Sequence, residues 1–256
     1  MPDRAGVNAP PWDPERFQRR LGIPVVSHGV VGSTMKEARA EGPAPRLHVA
    51  REQRSGRGRH GRTWASPAGN LYATIVWPDP DERLGPGVLA AIQSEIADAI
   101  RGAGGPPARC KWPNDGFVGG RKWSGLLAER EGGRGTLRVG VGANLESVPE
   151  GSALEATSLR AHWPSGPEPL EAACLVLEAA LAVLRDGESG IRRGLARWPA
   201  VDLWTIGDPL RVEGPGGLLE GRYGGVAADG RLVLETAEGT ARIAAGDAIR
   251  LHRQEA

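Results

Sequence analysis

Apolar positions along the chain fall into two periodicities. Leu89, Ile92, Ile96 and Ile100 recur at three- and four-residue spacing, the stripe of an amphipathic helix, and the pattern stops at Gly102 and Gly104-Gly105. Leu170, Cys174, Leu177, Leu181 and Leu184 form a second stripe that stops at Gly187. Both helices are expected to pack on a sheet. The clearest strand signal is 71–77, a short, apolar, β-branched run closed by Pro78. Leu47 and Val49 alternate with polar neighbours, and further strand candidates lie near 108–112, 123–129 and 136–142. Strands and helices are mixed without a strict βαβ repeat, so the pattern predicts an α+β class with a mixed sheet packed by helices. Thr34 and Glu37 have capping-box spacing, which predicts a short helix running to Gly42. After Trp204 the texture changes to short strand-like pieces (211–214, 218–226, 230–236, 240–244, 248–252) separated by turn signals such as Asp229-Gly230 and Glu238-Gly239. That predicts a small β-barrel. The first 20 residues are polar and proline-rich and read as a flexible or loosely docked arm, with order beginning near Leu21. The expected organisation is an arm at 1–20, a main domain at 21–200 and a β domain at 205–253.

Charge narrows the function classes. The 32 Lys+Arg nearly cancel the 31 Asp+Glu, so no whole-molecule field draws the chain to nucleic acid or an anionic membrane. Electrostatic chemistry must be local. Only Lys36, Lys111 and Lys122 are lysines, against 29 arginines, and this bias devalues any single arginine as a signal. Cys110 and Cys174 lack the paired spacing of a zinc site or the density of a disulfide scaffold, which makes a reduced, cytoplasmic setting the default. No run reaches the roughly 18 apolar residues of a membrane span, and the N-terminus has no signal-peptide core.

Against that background the segment 51–62 stands out, with Arg51, Arg54, Arg57, Arg59 and Arg62 interleaved with Gly56, Gly58 and Gly61. Glycine lets backbone approach a ligand, and the arginine fork matches phosphate oxygens. Ordering twelve residues costs roughly 12–24 kcal/mol with few apolar side chains to offset it, so the loop is expected to be mobile until a ligand orders it. A solvated surface loop or an RNA-binding arginine-glycine segment would also explain these residues taken alone. Lys111, Asn114 and Asp115, followed by Lys122, gather two of the three lysines and a carboxylate within twelve positions. Such a group can neutralise a carboxylate and a phosphate that must meet, and Asp with Asn can offer oxygen ligands to Mg²⁺. An ordinary hairpin ion pair explains them equally well. Gly140 and Gly142 on the strand before Asn144 would let a flat group lie on the backbone, or mark a bulge or tight packing.

Together these segments resemble the biotin protein ligase family, also called biotin–[acetyl-CoA-carboxylase] ligases. Ser33-Thr34, Gln53 through Arg62, Lys111 through Asp115, Arg121-Lys122 through Gly125, and Gly140 through Asn144 occur in the family's order and at its approximate spacing. The resemblance is close over 25–160, and 205–253 looks like the family's SH3-like C-terminal domain. It implies a fold of the class II synthetase and biotinyl/lipoyl ligase kind, with ATP, biotin and Mg²⁺ as ligands. The implied reaction makes biotinyl-AMP and transfers biotin to a lysine of a biotin carboxyl carrier protein such as that of acetyl-CoA carboxylase.

By the same resemblance, Ser33, Thr34 and Gln53 hydrogen-bond the ureido ring of biotin, while Met35, Gly56, Trp64, Gly125, Gly140 and Gly142 surround it. Arg57, Gly58 and Arg59 close over the acyl phosphate, with Arg62 and Lys111 toward ATP. Lys122 sits by the biotin carboxylate, Asn114 and Asp115 by the phosphates with Asp115 holding the metal, and Asn144 near the adenine. Lys122, Arg59 and Asp115 are the expected catalytic residues. Met35 stands where the family often has Asn, and His60 replaces a frequent arginine. No room exists before residue 21 for the helix-turn-helix of the family's repressors, so DNA binding is not expected, whereas a homodimer would fit the family. Two alternatives remain in view: a lipoate or octanoate ligase or transferase of the same fold, whose usual glycine signature is absent here, and a nucleic-acid-binding module built on the basic loop.

Overall fold

The structure, a computed structural model, describes residues 12–79, 84, 85, 87–131, 135–150 and 155–250. Its main layer is a seven-stranded mixed sheet formed by β1 (Val25–Val31), β2 (Arg46–Gln53), β3 (Leu71–Pro78), β4 (Arg109–Lys111), β5 (Asp115–Val118), β6 (Arg121–Glu131) and β7 (Thr136–Ala143). The order across the sheet is β1-β2-β3-β7-β6-β5-β4; β1 and β2 run parallel, and every other neighbouring pair is antiparallel. The two helical stripes become α3 (Val88–Gly102) and α5 (Pro169–Asp186), whose buried faces carry Ile92, Ile96 and Ile100 and Cys174, Leu177, Leu181 and Leu184. A second, five-stranded antiparallel sheet follows: β8 (Pro209–Gly214), β9 (Gly217–Val226), β10 (Leu232–Thr236), β11 (Gly239–Ile243) and β12 (Asp247–Arg250), in the order β11-β10-β9-β8-β12. Gly230 and Gly239 turn with φ of 81° and 122°, as the Asp-Gly and Glu-Gly signals required. The last strand candidate, 248–252, and the expected domain end at 253 extend beyond the described residues.

Several expectations are corrected. Order starts before Leu21: α1 (Pro14–Leu21) is capped by the Asp13 carboxylate, which accepts the Arg16 amide, and buries Phe17 and Leu21. Polarity hid it, because Arg16 and Arg20, though exposed, pair with Glu171 and Glu178 on α5. The short helix α2 (Thr34–Glu37) begins with Ser33 at the N-cap, no side chain caps it, and it gives way to a 3₁₀ turn over Ala38–Ala40 instead of reaching Gly42. The buried Arg138 donates to the carbonyls of Ala38, Arg39 and Glu41, the orphan acceptors at that helix end.

Three other elements had no clear pattern: β1, the one-turn α4 (Leu159–His162) and α6 (Glu188–Val201). Gly190, Gly194 and Pro199 disguise α6. The two glycines are there because a Cβ at Gly194 would stand 2.6 Å from the Ala91 carbonyl oxygen on α3, and one at Gly190 2.5 Å from that of Val183 on α5. Among the described residues, no helix is long and apolar enough to cross a membrane.

The strand expected at Leu47 and Val49 is β2, but its polar neighbour is not turned to solvent, since Leu47, His48, Val49 and Ala50 are all buried. His48 stacks on His28 of β1, ring centroids 5.3 Å apart, with Nε2 of His28 and Nδ1 of His48 within hydrogen-bond distance at 3.1 Å. Burial first, then the His28 ring, pushes the His48 pKa down to about 4, and Glu41 at 3.6 Å offsets this only in part; burial also lowers His28. The unfolded imidazole takes up its proton near 6.5 and the folded one near 4. Stability is therefore complete above 6.5 and lost as pH falls toward 4, by about 3 kcal/mol for His48 alone. Denaturant titrations at pH 7 and pH 4.5 are expected to show that loss, and His48→Gln is expected to flatten it; equal pH slopes in both proteins would rule out this pair as the cause.

Candidate active site

Strand register assembles the site. Lys111 of β4 pairs with Asp115 of β5, Asp115 with Gly125 of β6, and Gly125 with Gly142 of β7. Residues paired across antiparallel strands share a face, so three segments separated in sequence form one row. Two residues along β7 lies Gly140, paired with Leu127 on one side and Thr74 on the other. Over this face opens a cavity of about 660 Å³. Every residue expected in the site lines it, with one exception: Gly56 lies outside the lining. A Cβ at Gly56 would stand 2.3 Å from the Trp64 carbonyl oxygen and 2.6 Å from Ser66 Oγ, so this glycine lets the loop fold back on itself.

One end of the cavity is a polar corner. Gln53 Oε1 accepts from the Thr34 amide at 2.8 Å and from the Thr34 hydroxyl at 3.2 Å, and Thr74 Oγ1 donates to Thr34 Oγ1 at 2.9 Å. Gln53 Nε2 donates to Ser66 Oγ at 3.0 Å. Ser33 and Thr34 are buried, so this hydrogen-bonding capacity is held away from bulk water. The Thr34 hydroxyl thus faces Gln53 and Thr74 instead of capping its helix. Met35 reaches across to β7, where a Cβ at Gly140 would stand 3.0 Å from its Cε.

The flat group that the strand glycines admit belongs to the protein itself. The Trp64 indole lies against β6 and β7: a Cβ at Gly142 would stand 2.8 Å from its Cε2 and one at Gly125 3.3 Å from its Cζ3. The Lys122 ammonium sits 5.4 Å from the Trp64 ring centroid and donates to Asp115 Oδ1 at 2.7 Å. Lys122 is further held by the segment beside it, its amide donating to the Glu155 carbonyl and its carbonyl accepting from the Thr157 amide. Burial lowers the Lys111 pKa, an effect the Asp115 carboxylate partly offsets. Asn144 donates through Nδ2 to the Thr157 carbonyl, while its Oδ1 is buried without a partner among the described residues.

Opposite this floor, the arginine-glycine loop bends through a 3₁₀ turn over Arg59–Gly61, with His60 at φ 54° and Gly61 at φ 72°. Arg59 is only 15% exposed; it donates to Asn114 Oδ1 and to the Gly246 carbonyl, each at 3.2 Å, and to Asp247 Oδ1 at 3.3 Å. Burial lowers its pKa, countered chiefly by Asp247. Arg62 donates to the other Asp247 oxygen. The loop, expected to be mobile without ligand, therefore has contacts of its own in the second sheet. Asp247, Thr74, Glu155 and Ile249 line the cavity without having been foreseen. No local pattern marks them, and Asp247 stands 185 positions from Arg62.

Comparison with known proteins agrees with this geometry. Residues 30–145 match the family model described as the biotin/lipoate A/B protein ligase family, and residues 205–251 match the biotin protein ligase C terminal domain. A biotin–[acetyl-CoA-carboxylase] ligase of Mycobacterium tuberculosis is 33% identical over 213 residues, covering 79% of this chain and 78% of that protein. The chain belongs to the biotin protein ligase family. A second ligase of that name, from Paracoccus denitrificans, is 41% identical over 113 residues, a match that spans 42% of this chain and 47% of the relative. Among solved structures, the biotin protein ligase from Aquifex aeolicus in complex with biotin and ATP is 26% identical with a TM-score of 0.76, covering 87% of this chain and 97% of that one. The paired sheets of the family are thus reproduced here, including the SH3-like C-terminal part.

The Trp64 contact gives this ligase a sensitive position. Gly142→Ala is expected to push the indole off β7 at a cost of about 1–3 kcal/mol. Isothermal titration should show biotin affinity falling by about five- to 150-fold while a Gly42→Ala control, at a position where an added Cβ meets nothing within 4 Å, stays within about threefold; a Gly142→Ala protein with unaltered affinity would contradict the contact's role.

Proposed function

We propose that this chain is an ATP-dependent biotin–carrier ligase that works through biotinyl-AMP. The observation that carries the reading is one continuous cavity with a polar corner at Thr34 and Gln53, an ammonium–carboxylate pair at Lys122 and Asp115, and the buried Arg59 fork and the exposed Arg62 fork in its lining. The corner offers donors and acceptors in the mixture a cyclic urea needs, Trp64 and Met35 supply apolar walls, and the cations gather where a carboxylate must meet a triphosphate. The relative from Mycobacterium tuberculosis and the Aquifex complex carry names that match this use. The lipoate and nucleic-acid alternatives are not favoured, because the biotin-ligase C-terminal domain is present and Arg59, mostly buried, is turned toward Asn114 and Asp247 in the cavity lining.

In the first half-reaction Lys122 holds the biotin carboxylate while its oxygen attacks the α-phosphorus of ATP and pyrophosphate leaves. Arg57, Arg59, Arg62 and Lys111 spread their charge over the phosphates. Asn144, with its unpartnered Oδ1, suits an exocyclic amine such as that of adenine. Magnesium would enter with the phosphates: no group of three or more metal-ligating side chains occurs among the described residues, whereas Asp115 lines the cavity with one oxygen free of hydrogen bonds. That fits the habit of Mg²⁺ of taking one carboxylate, substrate phosphates and water, and it would add positive charge beside the reacting phosphate.

In the second half-reaction the amine of a carrier lysine attacks the acyl carbon, AMP leaves, and Asp115 takes the proton released from the nitrogen. The closed loop keeps water from the mixed anhydride until then.

Lys122→Ala and Arg59→Ala are expected to lose adenylate formation or retention, read as biotin-dependent pyrophosphate exchange reduced by at least about 100-fold. Incubation of a biotin carboxyl carrier domain with the protein, ATP and biotin is expected to add one biotinyl mass by mass spectrometry. Absence of that mass, with octanoate or lipoate transferred instead, would overturn the assignment.

A further inference from the structure

The proposed reaction needs the loop closed over its intermediate. Its base is held by its own backbone and by the first sheet, as in Gly58 N–H to the Arg62 carbonyl and Arg59 to Asn114, and its arginine turn is gripped in addition by the second sheet. Asp247, the first residue of β12, presents Oδ1 to Arg59 and Oδ2 to Arg62, with His60 Nε2 3.7 Å away. Its neighbour Gly246 receives both terminal nitrogens of Arg59 on its carbonyl, each at 3.2 Å. Two guanidinium groups three residues apart can meet one carboxylate because the turn between them is left-handed at His60 and Gly61, a conformation that disfavours a non-glycine residue.

The carboxylate is itself fixed at both ends. β12 pairs with β8, where Asp247 faces Glu213, and a Cβ at Gly246 would stand 2.8 Å from the Glu213 carbonyl oxygen. The second sheet is tied to the first by buried polar contacts: Tyr223 donates to Asp202, and Trp112, one residue after Lys111, donates to the Gly230 carbonyl at 2.9 Å. Asp247 is thus held against the same frame that carries Lys111, Asn114 and Asp115.

We propose that Asp247 is a positioning residue that latches the arginine-glycine loop shut, so that the C-terminal sheet controls how long the acyl-adenylate stays in the cavity. This rests on the functional reading above. Two arginines against one carboxylate leave one positive charge in excess for a phosphate, and their forks are ordered before it arrives, so less entropy is lost on binding. Without the carboxylate the guanidinium groups repel each other, and the loop keeps only the Gly246 carbonyl as its hydrogen-bonded anchor beside the second sheet.

The test compares the full-length protein with Asp247→Asn, which keeps the shape and removes the charge, and with Asp247→Glu, which restores the charge. Hydrogen exchange of 54–63 in the ligand-free protein and escape of preformed biotinyl-adenylate in a chase are measured together. In Asp247→Asn both are expected to speed up by about tenfold or more, with the KM for ATP in pyrophosphate exchange rising more than kcat falls. In Asp247→Glu all three are expected to return to within about threefold of the parent. Unchanged loop exchange in Asp247→Asn, or an Asp247→Glu protein as impaired as Asp247→Asn, overturns the latch. If the parent protein forms no adenylate, the functional reading fails instead. The loop exchange then decides the latch alone, faster in Asp247→Asn supporting it and unchanged overturning it.

Discussion

The site depends on the register of β4 to β7. Pairing Lys111 with Asp115, Asp115 with Gly125, and Gly125 with Gly142 places a cation, a carboxylate and two bare stretches of backbone in one line on one face. A slip of a single residue on any of these strands would turn its contribution to the other face. The bare backbone then admits Trp64, which walls the cavity and lies beneath the Lys122 ammonium. A row of strand residues, an aromatic wall and an ion pair are therefore consequences of one alignment.

Charge is handled by pairing within the cavity. Arg59 is mostly buried, and burial alone disfavours its charge; the Asp247 and Asp115 carboxylates answer it. Lys122 meets Asp115, and Lys111 is balanced by the same carboxylate. Each cation is held in place by an acid weaker in number than the cations themselves, which leaves a net positive cradle without an isolated buried charge. The near-zero net charge of the whole chain conceals this local excess.

The second sheet has a part in the cavity as well as in the fold. It reaches the cavity through Asp247, Ala248 and Ile249, and Asp247 meets the arginine loop. Its attachment through Asp202, Tyr223, Trp112 and Gly230 is buried and polar, a kind of contact that specifies one relative placement more sharply than apolar packing alone.

Much of this was legible in the chain. The two helical stripes of α3 and α5, the apolar run of β3 and the change to short strands after Trp204 follow from local periodicity, because a face that packs on a core must repeat at the spacing of its element. The residues of the cavity were legible too, since glycine, arginine and lysine in unusual local density betray close backbone approach and concentrated charge. Elements whose burial is set by distant partners escaped. The glycines in α6 look like breakers until Ala91 and Val183 are seen pressed against them, α1 looks like a polar arm until Glu171 and Glu178 meet its arginines, and His48 looks outward until His28 covers it. Asp247 shows the limit most plainly. Sequence alone determined which segments concentrate glycine and positive charge and which could form strands, because those are local properties. Only the tertiary structure decided that Trp64 is the flat group on the glycine row and that one carboxylate 185 residues away closes the arginine loop, because contacts between distant segments leave no periodic trace in a single chain.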